Sequence, residues 1–243
     1  MSLLDIRNVA GGYGDVDIIT GIDMSIEARE IVTIAGTNGA GKSTLVKAIM
    51  GMLKRLSGSI VFDGNDLTKI ATEKRVGAGI SYVPQVRNIF GALTVQENLQ
   101  VVEQVQNRQD RIALMYEMFP ALAERRRTQA GNLSGGERQQ LAFARALMSM
   151  PRLILLDEPS AALSPSLTEL VFSEVRKLPA TGAAVLMVEQ RARQALAFSD
   201  RGYILDSGRI VLTDTGEALL RNEKMAELYL GNRAAAAQAN QTK

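Results

Sequence analysis

The stretch IVTIAGTNGAGKST, residues 31–44, constrains this chain more than any other. Its first half, IVTIAG, is apolar on both faces, as a buried parallel strand is. Gly36, Gly39 and Gly41 then let the backbone curl, so that successive N–H groups point inward at an anion. A helix is expected from about Lys42, and its N-terminus adds a dipole and unpaired N–H groups. A plain glycine-rich turn would not need the Lys-Ser-Thr ending. The pattern G-x-x-x-x-G-K-[ST], between a strand and a helix, predicts a phosphate site. There Lys42 reaches the β- and γ-phosphates and the hydroxyl of Ser43 ligates Mg²⁺. The candidate nucleotide contacts are Gly36, Asn38, Gly39, Ala40, Gly41, Lys42, Ser43 and Thr44.

LILLDEP, residues 153–159, supplies the other half of such a site. Asp157 ends an apolar strand and is placed to hold Mg²⁺ through water. Successive strand residues point to opposite sides, which separates Asp157 from Glu158. One carboxylate then serves the metal while the other orients or deprotonates the attacking water.

Composition narrows the rest. Lys and Arg number 28 against 26 Asp and Glu, a net charge of +2, which argues against nucleic acid as an obligatory partner. The run Arg125–Arg127 reads as a solvated helix face. With no cysteine and no histidine there is no disulfide framework and no thiolate chemistry. A metal site would be built from oxygen ligands, which suits Mg²⁺ better than Zn²⁺. MSLLDIRNV does not read as a signal peptide, and no stretch approaches the roughly 18 apolar residues of a membrane span. The sequon at Asn132 therefore carries no weight, and a cytoplasmic location is expected.

Along the chain, short apolar runs alternate with helical patterns, the mark of an α/β fold with a mostly parallel sheet. SIVFDG (59–64) reads as an exposed strand, and ISYVPQ (80–85) as a strand stopped by Pro84. LILLDE (153–158) and AVLMVE (184–189) read as central parallel strands, and YILDSGRIVL (203–212) as a hairpin. Residues 89–150 contain no convincing strand. A capping box opens at Thr94-Val-Gln-Glu97, helical patterns run to Arg127, and another runs from Ser134 to Met148. The expected organisation is an ATP-binding core over 1–88 and 151–232, a helical insert over 89–150, and a flexible tail over 233–243.

LSGGERQQLAFARAL (133–147) is the most specific stretch. Ser134 to Glu137 is a capping box, but a generic helix start does not need two glycines. Ser134, Gly135 and Gly136 at a helix N-terminus make a second anion site, with Glu137 beside it. On a separate helical insert it cannot face its own phosphate loop. A head-to-tail dimer resolves this, with each nucleotide held between one chain's phosphate loop and the other's LSGG.

The phosphate loop, Gln85 after a strand, LSGGE and LLDEP stand in the order and spacing of the ATP-binding cassette family, which the chain resembles over residues 3–232. The resemblance implies an ATPase core with N-terminal antiparallel strands, using ATP and Mg²⁺. It implies that Tyr13, in GGYG, stacks on adenine. Gln85 is implied to sense γ-phosphate through Mg²⁺, in a metal set with Ser43 and Asp157, and to touch a membrane partner, as Leu93–Leu99 would. Gln190, in VLMVEQ, falls where the family usually has a switch histidine. Its amide can donate a hydrogen bond but cannot become cationic or shuttle a proton. The implied catalytic set is Lys42, Glu158 and Gln190, in a site that binds ATP and hydrolyses it more slowly. The aspartate usual after LLDEP is also absent: SAALS ends on Ser164, which with Pro165 reads as an N-cap and first helical position.

Together with residues 194–220 and NEKMAELYLG (222–231), these departures resemble the LivF-type ATPase subunits of high-affinity branched-chain amino acid importers. Many of those have Glu at the position of Gln85 and SLGLAP where this chain has SAALSP. The implied partners are a second, non-identical ATPase in a head-to-tail heterodimer (or a homodimer in isolation) and two integral membrane permease subunits. An extracytoplasmic solute-binding protein would act indirectly. The implied place is the cytoplasmic face of the cell membrane, as a peripheral subunit. A nucleotide-gated clamp whose partner does most of the hydrolysis, and an importer of urea or amides, are the competing readings. Cassette ATPases of DNA repair or translation need a long coiled-coil insertion or two cassettes in one chain, and neither is present.

Overall fold

The computed structural model describes residues 2–86, 88–161 and 163–225. Its strands are β1 (Leu4–Tyr13), β2 (Val16–Ile26), β3 (Ile31–Ala35), β4 (Arg55–Phe62), β5 (Asn65–Asp66), β6 (Ile80–Val83), β7 (Leu153–Asp157), β8 (Ala184–Glu189), β9 (Arg201–Asp206) and β10 (Arg209–Thr215). Its helices are α1 (Lys42–Ile49), α2 (Thr72–Arg75), α3 (Val95–Gln100), α4 (Arg108–Met118), α5 (Pro120–Glu124), α6 (Gly135–Leu147), α7 (Pro165–Lys177), α8 (Ala192–Leu196) and α9 (Gly216–Leu220).

β2, β1, β4 and β5 form a four-stranded antiparallel sheet. The other sheet has six strands in the order β10-β9-β3-β8-β7-β6, parallel except for β10 at its edge. This is the α/β fold with a mostly parallel sheet that the alternating apolar runs imply, and the antiparallel N-terminal strands are those that the family resemblance implies.

The period of two along the central strands sorts their side chains into two cores. Val32, Ile34, Leu153, Leu155, Leu186 and Val188 join α1 and the antiparallel sheet. Ile31, Ile154, Leu156, Val185 and Met187 join α3 to α7. Asp157 continues the Leu153–Leu155 face, which turns its carboxylate toward α1.

Three local expectations change. β4 begins at Arg55, and its Ile60 and Phe62 are fully buried, so it is half-buried rather than exposed. The helical patterns expected up to Arg127 are α3, α4 and α5, and α5 ends at Glu124, so Arg125–Arg127 lie in a turn rather than on a helix face. The hairpin runs longer than expected, over β9 and β10 with Ser207-Gly208 at its turn. The capping boxes at Thr94 and Ser134 and the Ser164 N-cap form as expected. The expected boundary at 232 and the tail 233–243 lie outside the described residues.

Candidate functional site

The loop between β3 and α1 ends at Gly41, the N-cap of α1, whose φ is 102°. A Cβ there would stand 2.9 Å from Ile19 Cγ2, in a backbone conformation that side chains rarely adopt, so only glycine fits. Gly41 has no side chain to cap the helix, and the first N–H groups of α1 are left for a ligand. The loop is closed by a bond within itself and fastened on one side to a neighbouring turn. Ala40 N–H donates to Thr37 O at 3.2 Å, Gly208 N–H donates to Ala40 O at 3.0 Å, and Thr20 N–H donates to Gly208 O at 2.9 Å. Asn38 and Gly39 face solvent at the crest, while Ala40 and Thr44 are buried beneath it.

Lys42 is only 4% exposed. Its ammonium donates to Gly36 O at 3.0 Å and Thr37 O at 3.1 Å, and pairs with Glu158 Oε1 at 3.2 Å. Ser43 Oγ donates to Asp157 Oδ1 at 2.7 Å, and Gln85 Nε2 donates to Glu158 Oε2 at 2.9 Å. Residues from three places in the chain thus meet at the start of α1. The two carboxylates meet it differently than strand alternation suggests. β7 ends at Asp157, and Glu158 takes a left-handed φ of 46° with its N–H on Val188 O at 2.9 Å. The chain turns at that residue, so both carboxylates face the loop.

Tyr82 is a participant the sequence reading missed. Its hydroxyl donates to Asp157 Oδ2 at 3.2 Å. Burial, and after it the Asp157 carboxylate, push the phenol well up, so it stays protonated and donating at neutral pH. The Ser43 hydroxyl and the Asp157 carboxylate form an all-oxygen donor set, which fits Mg²⁺. Among the described residues no group of three or more acidic, His or Cys side chains could hold a metal ion. A hard cation here would share its shell with phosphate oxygens and water, as Mg²⁺ does.

Tyr13 ends β1 and is 50% exposed, with Lys47 Nζ of α1 5.7 Å from its ring centroid. It stands beside α1, half exposed. The loop after Gln85 is pinned to α6, where Arg145 donates to Asn88 O at 2.6 Å and stacks on Phe90 with 4.4 Å to the ring centroid. Gln190 is exposed, and among the described residues its side chain forms no hydrogen bond with the site.

Ser134 to Glu137 lies apart from this cluster. Glu137 Oε2 accepts from Ser134 N–H at 2.8 Å, Ser134 Oγ accepts from Glu137 N–H at 3.3 Å, and Arg125 stands 3.6 Å from Glu137. Among the described residues no hydrogen bond or ion pair joins these residues to 36–44. A Cβ on Gly136 would sit 2.9 Å from Leu167 Cδ2 and 3.2 Å from Leu170 Cδ2. The second glycine therefore also serves the packing of α6 on α7, a use the sequence did not reveal.

A glycine-rich anion loop, two carboxylates and a capped glycine helix on this fold define a nucleotide-binding cassette. The chain belongs to the ABC transporter family, which it matches over residues 19–161. It is 41% identical over 232 residues to the high-affinity branched-chain amino acid transport ATP-binding protein BraG of Pseudomonas aeruginosa, covering 94% of this chain and 100% of BraG. It is 39% identical over 224 residues to the probable branched-chain amino acid transport ATP-binding protein LivF of Archaeoglobus fulgidus, covering 90% and 95%. Among solved structures it is similar to MJ1267, an ATP-binding cassette of an ABC transporter, with a TM-score of 0.84 at 28% identity, covering 94% and 99%. The ADP conformation of MJ1267 gives a TM-score of 0.83.

Proposed function

We propose that this chain is the ATP-binding and ATP-hydrolysing subunit of an importer for branched-chain or other hydrophobic amino acids. The observation that carries this reading is the meeting of Lys42, Ser43, Asp157, Glu158 and Gln85 at the uncapped start of α1. The likeness to BraG and LivF supports the transported class.

In this reading the N–H groups of residues 38–44 and the Lys42 ammonium bind the phosphates of ATP. An incoming phosphate competes with Glu158 for Lys42, which frees that carboxylate to orient a water and accept its proton. Ser43, Asp157 and Gln85 would hold Mg²⁺, which supplies charge neutralisation at the β- and γ-phosphates. Tyr82 holds Asp157 in place from the far side. Gln190 donates an amide hydrogen bond near the γ-phosphate, and Tyr13 stacks on the base. Ser134, Gly135, Gly136 and Glu137 meet the nucleotide of a partner ATPase, so that ATP draws the two chains together. ATP can do so because it binds the closed pair better than the open one.

Among the described residues no helix is long and apolar enough to cross a membrane, which suits a peripheral subunit. Val86 and Phe90, 68% and 52% exposed beside Gln85, suit a contact with a permease subunit. The test is Glu158→Gln in the complex purified through a tag on this chain. The expected result is retained binding of an ATP analogue with turnover at this site lost. Full turnover would make the site a clamp and leave hydrolysis to the partner. Co-purification of polytopic membrane chains and a second ATPase is expected, and soluble proteins alone would sink the transport reading.

A further inference from the structure

Gln190 is exposed and its side chain has no hydrogen-bond partner among the described residues, yet both its neighbours are firmly held. Glu189 ends β8 and is 1% exposed. Its Oε1 accepts the N–H of Ser160 at 3.0 Å, and its Oε2 accepts the N–H of Gln190 at 3.1 Å and of Arg191 at 3.4 Å. Arg191 reaches the other way: Nη1 donates to Thr168 Oγ1 at 2.6 Å and Nη2 to Leu163 O at 3.1 Å. Ser160 and Leu163 bracket the segment that follows Glu158, and Glu158 N–H is itself bonded to Val188 O. The turn that carries Gln190 is therefore tied to the segment behind Glu158 at two points, Ser160 and Leu163, and to α7 at Thr168.

A carboxylate buried to this degree ordinarily has a cation beside it. Among the described residues none pairs with Glu189, and the neighbouring guanidinium is committed to Thr168 and Leu163. Burial pushes Glu189 up, and its bonds to Ser160, Arg191 and Gln190 oppose that shift. Three backbone N–H groups from two loops take the place of the counter-ion, and an acceptor with two oxygens is what such a junction needs.

We infer that Glu189 is a positioning residue for the ATPase reaction, fixing the turn that presents Gln190 to the segment behind Glu158, with Arg191 as the second tie. This rests on the ATPase reading above. Gln190 cannot act as a cation, so its use depends on where its amide is held. A displacement of about 1 Å can cost about a hundredfold in rate.

The test uses the full-length chain as wild type, Glu189→Gln and Arg191→Ala. Glu189→Gln keeps the size but sets an NH₂ group against N–H donors. Three quantities are read: affinity for a fluorescent ATP analogue, kcat and KM for ATP, and amide hydrogen exchange by peptide. For Glu189→Gln the expected result is a fall in kcat of about tenfold or more with affinity within about twofold of wild type. Exchange rises together in peptides covering 159–164 and 188–192, and not in the phosphate loop. Arg191→Ala moves the same readouts in the same direction by less. Unchanged kcat, exchange rising in one segment alone, or affinity and turnover falling in parallel would overturn the inference. If Glu189→Gln does not fold, Arg191→Ala decides, and wild-type turnover in it overturns the inference. A wild-type chain that fails to bind the analogue overturns the ATPase reading itself and the inference with it.

Discussion

The N-termini of α1 and α6 both carry glycines, before the helix in α1 and as its first two residues in α6, and they end in opposite conditions. α1 starts at Gly41 with no side-chain cap, and the side chains around it are buried and paired across the sheet. α6 starts at Ser134, whose hydroxyl and whose partner Glu137 complete a capping box at the surface. A helix whose first turn is partly capped by its own side chains stands without a ligand. A helix left with free donors beside a lysine is finished by an anion. The Ser134 hydroxyl accepts within its own cap and keeps its hydrogen to donate outward. The two termini thus suit different tasks: one holds phosphate, the other contacts it.

The sharpest way to break this contrast is Gly41→Ala. Left-handed strain and the contact with Ile19 are expected to cost about 2–4 kcal/mol and to abolish nucleotide binding, checked by thermal melting and titration with a fluorescent ATP analogue. Lys42→Ala comes next. Loss of the buried ammonium is expected to weaken the analogue by roughly tenfold to a hundredfold in equilibrium titration. Ser134→Ala is smaller: it is expected to cost about 1 kcal/mol of stability in denaturant melts. It should leave analogue binding by the isolated chain unchanged, and a fall would show that one chain's two termini share a site.

Acid gives the smallest effect. The Thr94 and Ser134 N–H groups hold Glu97 and Glu137 below their ordinary value of 4.5. Their folded values lie below their unfolded ones, so their contribution is present above pH 4.5 and is lost as pH falls through the lowered values. Amide protection at the starts of α3 and α6 is expected to fall there before it falls at α1, which has no acid in its first turn.

What was legible was local. A strand, three glycines and Lys-Ser-Thr are contiguous, so their geometry follows from their own backbone. The caps at Thr94, Ser134 and Ser164 span a few residues each, and all three form. The pairings across the sheet were not legible. Tyr82 meets Asp157 only because β6 lies parallel to β7 with Tyr82 opposite Leu155, a register that no short window contains. The turn at Glu158 was hidden for a related reason, because alternation predicts a strand only while the strand continues. Glu189 read as the end of an apolar run. Its partners at Ser160 and Arg191 arrive from the far side of a turn and a loop.

The phosphate loop is fastened on one side by Ala40 to the Gly208 turn of the large sheet, and through Gly208 to Thr20 of the small one. That fastening has an entropic side. Freezing a mobile segment costs about 1–2 kcal/mol per residue, and here folding has already done it. A nucleotide arriving at this loop orders little beyond itself, so its contacts are spent on affinity rather than on shaping the cradle. A swing of the loop by itself would break the Gly208–Ala40 bond that links it to both sheets.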